Sequence, residues 1–198
     1  MTASALIVSA SANAVAVSSP FAYPQSLLAG NPEKGSIVTS GITLGETTVS
    51  LEKTPIRSLA KILGASLSRE GAGDFTRDWT CLETANFRIW LIASDSPTVT
   101  EVQMATKPVK AERNGRCYKL PPSFASASIG GVTPGMMQSD VLEKFGRPSY
   151  SGEDGWLFWA RFKTIEEYSN SRIQMNWTGV QLIGGSVSKI FSSQVTNP

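Results

Sequence analysis

Carboxylates, serines and lysines are the side chains of this sequence equipped for chemistry, because it contains no histidine, the usual general base near neutral pH and a leading zinc ligand. Asp74, Asp78 and Glu83 lie close together, and Glu153 and Asp154 are adjacent. Paired carboxylates catalyse hydrolysis when their surroundings drive their pKa values apart. Glu153 and Asp154, however, stand between two glycines, the setting of a hairpin loop, where acidic residues serve turn formation and solubility. Serine precedes lysine in Ser-x-x-Lys spacing at Ser50 and Lys53, Ser58 and Lys61, and Ser186 and Lys189, yet no Ser-Asp-Asn or Lys-Thr-Gly partner accompanies any of them. Gly71-Ala72-Gly73 lacks the strand before and the helix after a phosphate loop and reads as a turn. Two cysteines and no histidine leave no zinc set. The chain reads as non-catalytic, with no cofactor and no metal expected.

Tryptophan is the more informative group. Trp79, Trp90, Trp156, Trp159 and Trp177 are many for this length, and the residue is enriched both in cores and in binding hot spots. Strand side chains alternate, so Trp156 and Phe158 point one way and Leu157 and Trp159 the other. A sheet covered by helices on one face cannot bury both sets against them. Either another part of the chain, the other half or the amino-terminal segment, covers the second set, or that set is a partner-binding face. On the second reading Arg88, Trp90, Trp159, Arg161 and Trp177 are the binding residues.

The elements that position these residues repeat. Gly41-Ile42-Thr43-Leu44-Gly45 precedes an apolar run from Ile56 to Leu63 closed by Gly64, and Gly131-Val132-Thr133-Pro134-Gly135 precedes Val141 to Phe145 closed by Gly146. Each copy then has a glycine-rich loop, a tryptophan and strand-like segments. Thr54 as N-cap, Pro55 at the first helical position and core spacing of Ile56, Leu59, Ile62 and Leu63 predict the first helix; Ser139 predicts the cap of the second. Strands are predicted at 76–82, 87–93, 98–105, 156–162, 172–177 and 181–192, with a helical turn over 165–168. Pro121, Pro122 and the Ser and Ala run to Ser128 mark the join. The organisation expected is residues 1–35 as a signal-peptide-like or disordered segment, repeats at 36–120 and 129–198, and a linker at 121–128.

A net charge of +2 gives no nucleic-acid footprint, since phosphate binding needs clustered cations. Lys107, Lys110, Arg113 and Arg116, interleaved with Glu112, read as a solvated loop. No apolar run is long enough to span a bilayer. Ala5-Leu6-Ile7-Val8 with Ala12-Asn13-Ala14 or Ala14-Val15-Ala16 has the form of a signal peptide's apolar stretch and small-x-small cleavage site, without the basic region that opens one. Export makes Cys81 and Cys117 a disulfide pair; the alternative is two independent buried thiols.

Gly131-Val132-Thr133-Pro134-Gly135-Met136, then Val141-Leu142-x-x-Phe145-Gly146-x-Pro148 and Trp156-Leu157-Phe158, resembles the SmpA/OmlA (BamE-like) family. That family has a glycine, a Met or Thr turn, a helix closed by Leu-Gly-x-Pro, and a Trp-x-Tyr strand; here Phe145 and Phe158 replace the leucine and tyrosine. The resemblance covers about 129–192 and implies a helix or two on a three-stranded antiparallel sheet, and a place beside the outer-membrane β-barrel assembly machinery. The first copy has no proline after Gly64, and Cys81 stands where the strand aromatic would be. Tandem copies on an exported chain are also similar to the β-lactamase inhibitory proteins, which present a concave sheet to an enzyme. The expectation is therefore an α+β protein of two tandem repeats, each a short helix or helix pair packed on a three-stranded antiparallel sheet, located in the periplasm or secreted. It would bind another protein without catalysis, as an accessory to envelope or outer-membrane assembly. The alternative is an enzyme inhibitor using loops such as 71–78 or 151–155 as plugs.

Overall fold

The computed structural model describes residues 17–24, 31–73, 75–107, 115–124, 126–167 and 170–197. In chain order the elements are β1 (Glu33–Lys34), β2 (Gly41–Leu44), β3 (Thr47–Ser50), α1 (Ile56–Leu63), β4 (Ser68–Glu70), β5 (Arg77–Glu83), β6 (Phe87–Ser94), β7 (Glu101–Thr106) and β8 (Tyr118–Lys119). After a single 3₁₀ turn at Pro122–Phe124 come β9 (Ala127–Ile129), α2 (Gln138–Phe145), β10 (Tyr150–Ser151), β11 (Trp156–Glu167), β12 (Asn170–Ile183) and β13 (Ser186–Asn197).

Helix α1 forms where the spacing predicts it, burying Ile56, Leu59, Ala60 and Leu63, and Gly64 ends it at φ 66° in the left-handed region that glycine enters without strain. Ile62 is 81% exposed and not part of that face. Pro55, not Thr54, occupies the cap position; the Thr54 hydroxyl instead accepts the Ser50 N–H at 2.9 Å. At the start of α2 Met137 takes the cap position and its N–H donates to the Asp140 carboxylate at 3.1 Å, with Ser139 inside the first turn.

The two expected helix-on-sheet repeats do not form. A single ten-stranded mixed sheet runs β1-β11-β12-β13-β7-β6-β5-β4, with β10 also on β11 and β8 also on β5. Its centre is the antiparallel pairing of β13 with β7, from Lys189↔Ala105 to Ser193↔Glu101, which fuses strands of both halves into one surface. A second, three-stranded sheet, β3-β2-β9, likewise mixes the halves, because β9 comes from the join. The expected helical turn over 165–168 is absent as far as the described residues reach: β11 continues through Glu167 in unbroken pairing with β12.

One face of the large sheet carries the main core. Leu82, Ile89, Leu91, Val102, Met104, Leu157, Trp159, Val180 and Ile190 meet α1, α2 and the small sheet there. Toward the start of β12 and the end of β13 this face turns polar: Asn176, Thr178, Ser192 and Gln194 are buried, linked by bonds such as Asn176 Nδ2 to Ser192 Oγ at 3.2 Å. The Glu52 carboxylate accepts from Gln194 Nε2 at 2.8 Å, Thr196 N at 2.6 Å and Thr196 Oγ1 at 2.7 Å, pinning the turn after β3 onto β13. The opposite face carries Trp79, Cys81, Trp90, Ile92 and Ala105 in one cluster and Trp156, Phe158, Ala160 and Phe191 in another. Residues 17–24, part of the segment read from sequence as signal-like or disordered, pack on that face through Val17, Phe21 and Tyr23. Cys81 and Cys117 form a disulfide across 36 positions of sequence, holding the β8 segment against β5. No helix among the described residues is long and apolar enough to cross a membrane.

Candidate partner-binding surfaces

Two features bear on the residues singled out from sequence: the aromatic face under residues 17–24, and the hairpin joining β4 to β5. On the first, the indole N–H groups of Trp79 and Trp90 converge on the Ser18 carbonyl at 3.1 and 3.0 Å. The Gln103 amide clasps Phe21 from both sides, its Oε1 accepting the Phe21 N–H at 2.9 Å and its Nε2 donating to the Phe21 carbonyl at 3.2 Å. The Phe21 ring stands edge-on to Trp90 at 5.8 Å, and Lys189 Nζ lies 5.4 Å from its centroid. Tyr23 stacks on Phe191 at 3.9 Å and donates its hydroxyl to Glu101 Oε2 at 3.2 Å.

Glu101 is the buried acid of this face. Burial pushes its carboxyl above the ordinary range, against the Gln103 amide at 2.6 Å, the Arg77 charge and the Tyr23 hydroxyl, which favour the ionised form. Burial, reinforced by the Glu101 charge and hydrogen bond, pushes the Tyr23 phenol far up. An open polar cleft of about 860 Å³, lined by Glu101 with Glu52, Ser94–Ser96 and Thr196 among others, adjoins this pair, and its Glu52 carboxylate is engaged by Gln194 and Thr196. Among the described residues no group of His, Cys, Asp and Glu side chains is arranged to hold a metal.

The five residues singled out from sequence do not share one surface. Pairing places Arg88 and Trp90 on the face covered by residues 18–23, and Trp177, opposite Ala160, on that same face. The Arg88 Nε donates to Glu83 at 3.1 Å, and Glu83 also takes Lys107 Nζ at 2.7 Å. Burial opposes ionisation of Glu83, but these two cations together outweigh it and hold its carboxyl down. Trp177 is half-buried beside Phe191, and its indole N–H finds no acceptor among the described residues. Trp159 points to the other face, fully buried, with Nε1 donating to the Gly146 carbonyl at 3.2 Å and its ring edge-on to Phe145 at 5.4 Å. Arg161 pairs with Glu33 and donates to Ser149 Oγ at 2.7 Å, tying β1 to β11.

The β4–β5 hairpin holds the residue that sequence reasoning passed over. Phe75 is 84% exposed at its tip. Gly71, at φ 84°, makes the turn possible, since a Cβ there would lie 1.9 Å from the Phe75 carbonyl oxygen. Phe75 N–H donates to Ala72 O at 3.3 Å, and Asp95 N–H donates to Thr76 O at 2.9 Å, tying the loop to the β6–β7 turn. At the base Arg69 makes a two-pronged pair with Asp78, at 2.5 and 2.7 Å, and Arg57 of α1 approaches the same carboxylate at 3.8 Å. The Arg69 hydrogen bond holds the Asp78 carboxyl below its ordinary range against partial burial. Asp78 is thus a structural ion-pair partner; Asp74, its companion in the acidic group, lies outside the described residues. In the second candidate loop, Asp154 and Gly155 are pinned to β12, with Gln181 Nε2 donating to Asp154 O at 3.2 Å and Leu182 N–H to Gly155 O at 2.9 Å.

The signal for Phe75 was present in the sequence as an aromatic next to a glycine-rich turn, but turn chemistry alone does not say which loop side chains stand clear of the surface. No protein family, no characterised protein and no solved structure matches this chain.

Proposed function

We propose that this chain is a non-catalytic protein-binding module that works outside the cytoplasm, in the periplasm or the extracellular medium, and docks through the β4–β5 hairpin. The observation that carries the reading is Phe75, an aromatic 84% exposed on a loop whose base is bridged by the Arg69–Asp78 pair. Large aromatics on preorganised supports are the usual anchors of protein interfaces, because little entropy is lost on binding. Burying this ring in a partner pocket is worth roughly 2 to 3 kcal/mol. The disulfide supports an oxidising compartment. An assembly role in the envelope rests on the sequence resemblance alone.

The hairpin also favours the second reading, an enzyme inhibitor, since a loop with a projecting aromatic has the form of an active-site plug. Co-purification from crosslinked cells of the source, with wild type and Phe75→Ala in parallel, tests both. A partner recovered with wild type and lost with a normally folded Phe75→Ala supports docking through the hairpin. If that partner is an enzyme inactivated at one-to-one stoichiometry, the protein is an inhibitor. Equal recovery by both proteins refutes the hairpin as the contact.

A further inference from the structure

We infer that the cleft between the β1–β2 loop and the polar part of the β11–β13 face is a binding site for an acidic saccharide, a carboxylate carried on a hydroxylated frame. This inference is independent of the hairpin reading, because the two surfaces share no residue. The cleft has a volume of about 490 Å³, within the range of about 300 to 1,000 Å³ usual for small-molecule sites. It is lined by residues 36–40, by the turn after β3, and by Lys163, Gln174 and Gln194 of the sheet. The charged residues of this lining are Lys53 and Lys163, and no carboxylate side chain borders it. Both lysines are exposed, and neither has an ion-pair partner among the described residues. Glu52, next to Lys53 in the chain, turns its carboxylate to neutral donors on Gln174, Gln194 and Thr196 instead. The lysines also border the larger polar cleft, but Glu52, Asp95 and Glu101 line that one, so an anion is better placed in the smaller.

The rest of the lining selects what carries the charge. Ser36, Thr39, Ser40 and Ser50 bring hydroxyls, and Gln174 and Gln194 bring amides. No aromatic ring lines the cleft, so a neutral sugar has nothing to stack on and charge must be the anchor. Gln194 is 4% exposed, its Nε2 is committed to Glu52 at 2.8 Å, and its Oε1 has no donor among the described residues. A buried acceptor left unmet is costly, and a hydroxyl seated in the cleft that Gln194 borders supplies the donor. A bare inorganic anion would use the lysines and leave that acceptor unmet.

Isothermal titration calorimetry of the full-length protein with trigalacturonate tests this, with the uncharged galactose trimer and sulfate as comparisons. Saturable one-to-one binding of trigalacturonate is expected, about tenfold or more tighter than either comparison. Lys53→Gln and Lys163→Gln, both at exposed positions where the fold tolerates them, should each weaken it by about tenfold, the loss of one charge-assisted hydrogen bond. Lys61→Gln on α1, outside the cleft, should leave it unchanged. No saturable binding of trigalacturonate overturns the inference. So does binding that neither cleft variant weakens, or that Lys61→Gln weakens equally, since the saccharide then sits elsewhere or answers only to net charge. Sulfate binding as tightly as the trimer leaves a bare-anion site, and the galactose trimer binding as tightly removes the part given to the lysines; either result overturns it too.

Discussion

Replacing Glu101 by glutamine should remove one component of the protein's pH dependence. Glu101 is buried at 8% exposure under the Tyr23 ring, and burial raises its carboxyl above the ordinary 4.5 despite the Gln103 amide, Arg77 and the Tyr23 hydroxyl. The folded protein therefore holds this proton more tightly than the unfolded chain does. Between the two pKa values the folded state binds more protons, so unfolding free energy falls as pH rises. The contribution is fully present below about 4.5, the unfolded value, is lost as pH climbs to the folded value, and is constant beyond it. Within that window the loss is about 1.4 kcal/mol for each pH unit. Glutamine keeps the length of the side chain and does not titrate; it offers one acceptor oxygen where the Tyr23 and Gln103 donors use two, a cost that is the same at every pH and leaves the difference in slope to report the proton. Asp78 and Glu83, whose carboxyls are held down, act in the opposite sense at low pH; they are common to both proteins and drop out of the difference. Urea unfolding from about pH 4 to about pH 8 reads the effect, with wild type losing stability relative to Glu101→Gln as pH rises. Parallel curves would refute the reasoning, because they would put the Glu101 pKa in the folded protein at its unfolded value.

Three further outcomes are expected. Replacing Cys81 and Cys117 together by serine removes a loop constraint spanning 36 positions and should lower stability by about 3 to 4 kcal/mol in urea titrations. Because Arg116 holds Ser18, it should also raise the solvent exposure of Trp79 and Trp90 read by tryptophan fluorescence quenching. Gly179→Ala places a Cβ 2.3 Å from the Phe191 ring, forcing that ring and the Tyr23 stacked on it to move; a loss of about 1 to 3 kcal/mol is expected, partly recovered by Phe191→Leu. If the chain is exported through the small-x-small site, intact mass of the mature protein should place its first residue at Val15 or Val17, and a terminus within 19–23 would sever the contacts of residues 17–23.

Local signals in this sequence were legible and long-range ones were not. The body and end of the first helix were legible, because Ile56, Leu59 and Leu63 repeat at helical spacing and Gly64 stops it, while the cap falls one residue later than Thr54 and Ile62 faces outward. The strand pair β5–β6 was visible for local reasons too, whereas the cysteine pair was read from an even count and expected export, with two independent thiols as the alternative. Strands β12 and β13 run further than hydropathy suggests: β12 continues past Trp177 through Thr178, buried and bonded to Asn176 and Ser192, and β13 continues past Ser192 through the buried Gln194, polar residues at which the predicted strands stop. The repeat of glycine, helix and tryptophan is present, but it implied two separate sheets. Pairing of β13 with β7 depends on partners some ninety positions apart, from Lys189↔Ala105 onward, about which periodicity says nothing. The excess of tryptophan did require a second covered or exposed face. Which segment covers it was left open between the other half and the amino terminus, since residues 17–24 have neither period nor caps and are recognised only by the side chains that grip them. Phe75 was passed over because exposure of a loop residue is a tertiary property.

The most direct measurement of the central claim is photo-crosslinking in the source cells from a photoreactive phenylalanine at position 75 of the full-length protein, compared with the same probe at Glu153 in the other exposed loop. A discrete adduct with one partner from position 75, absent from position 153, is the predicted result. An adduct from 153 alone, or none from 75 while partners still co-purify, would contradict docking through the β4–β5 hairpin.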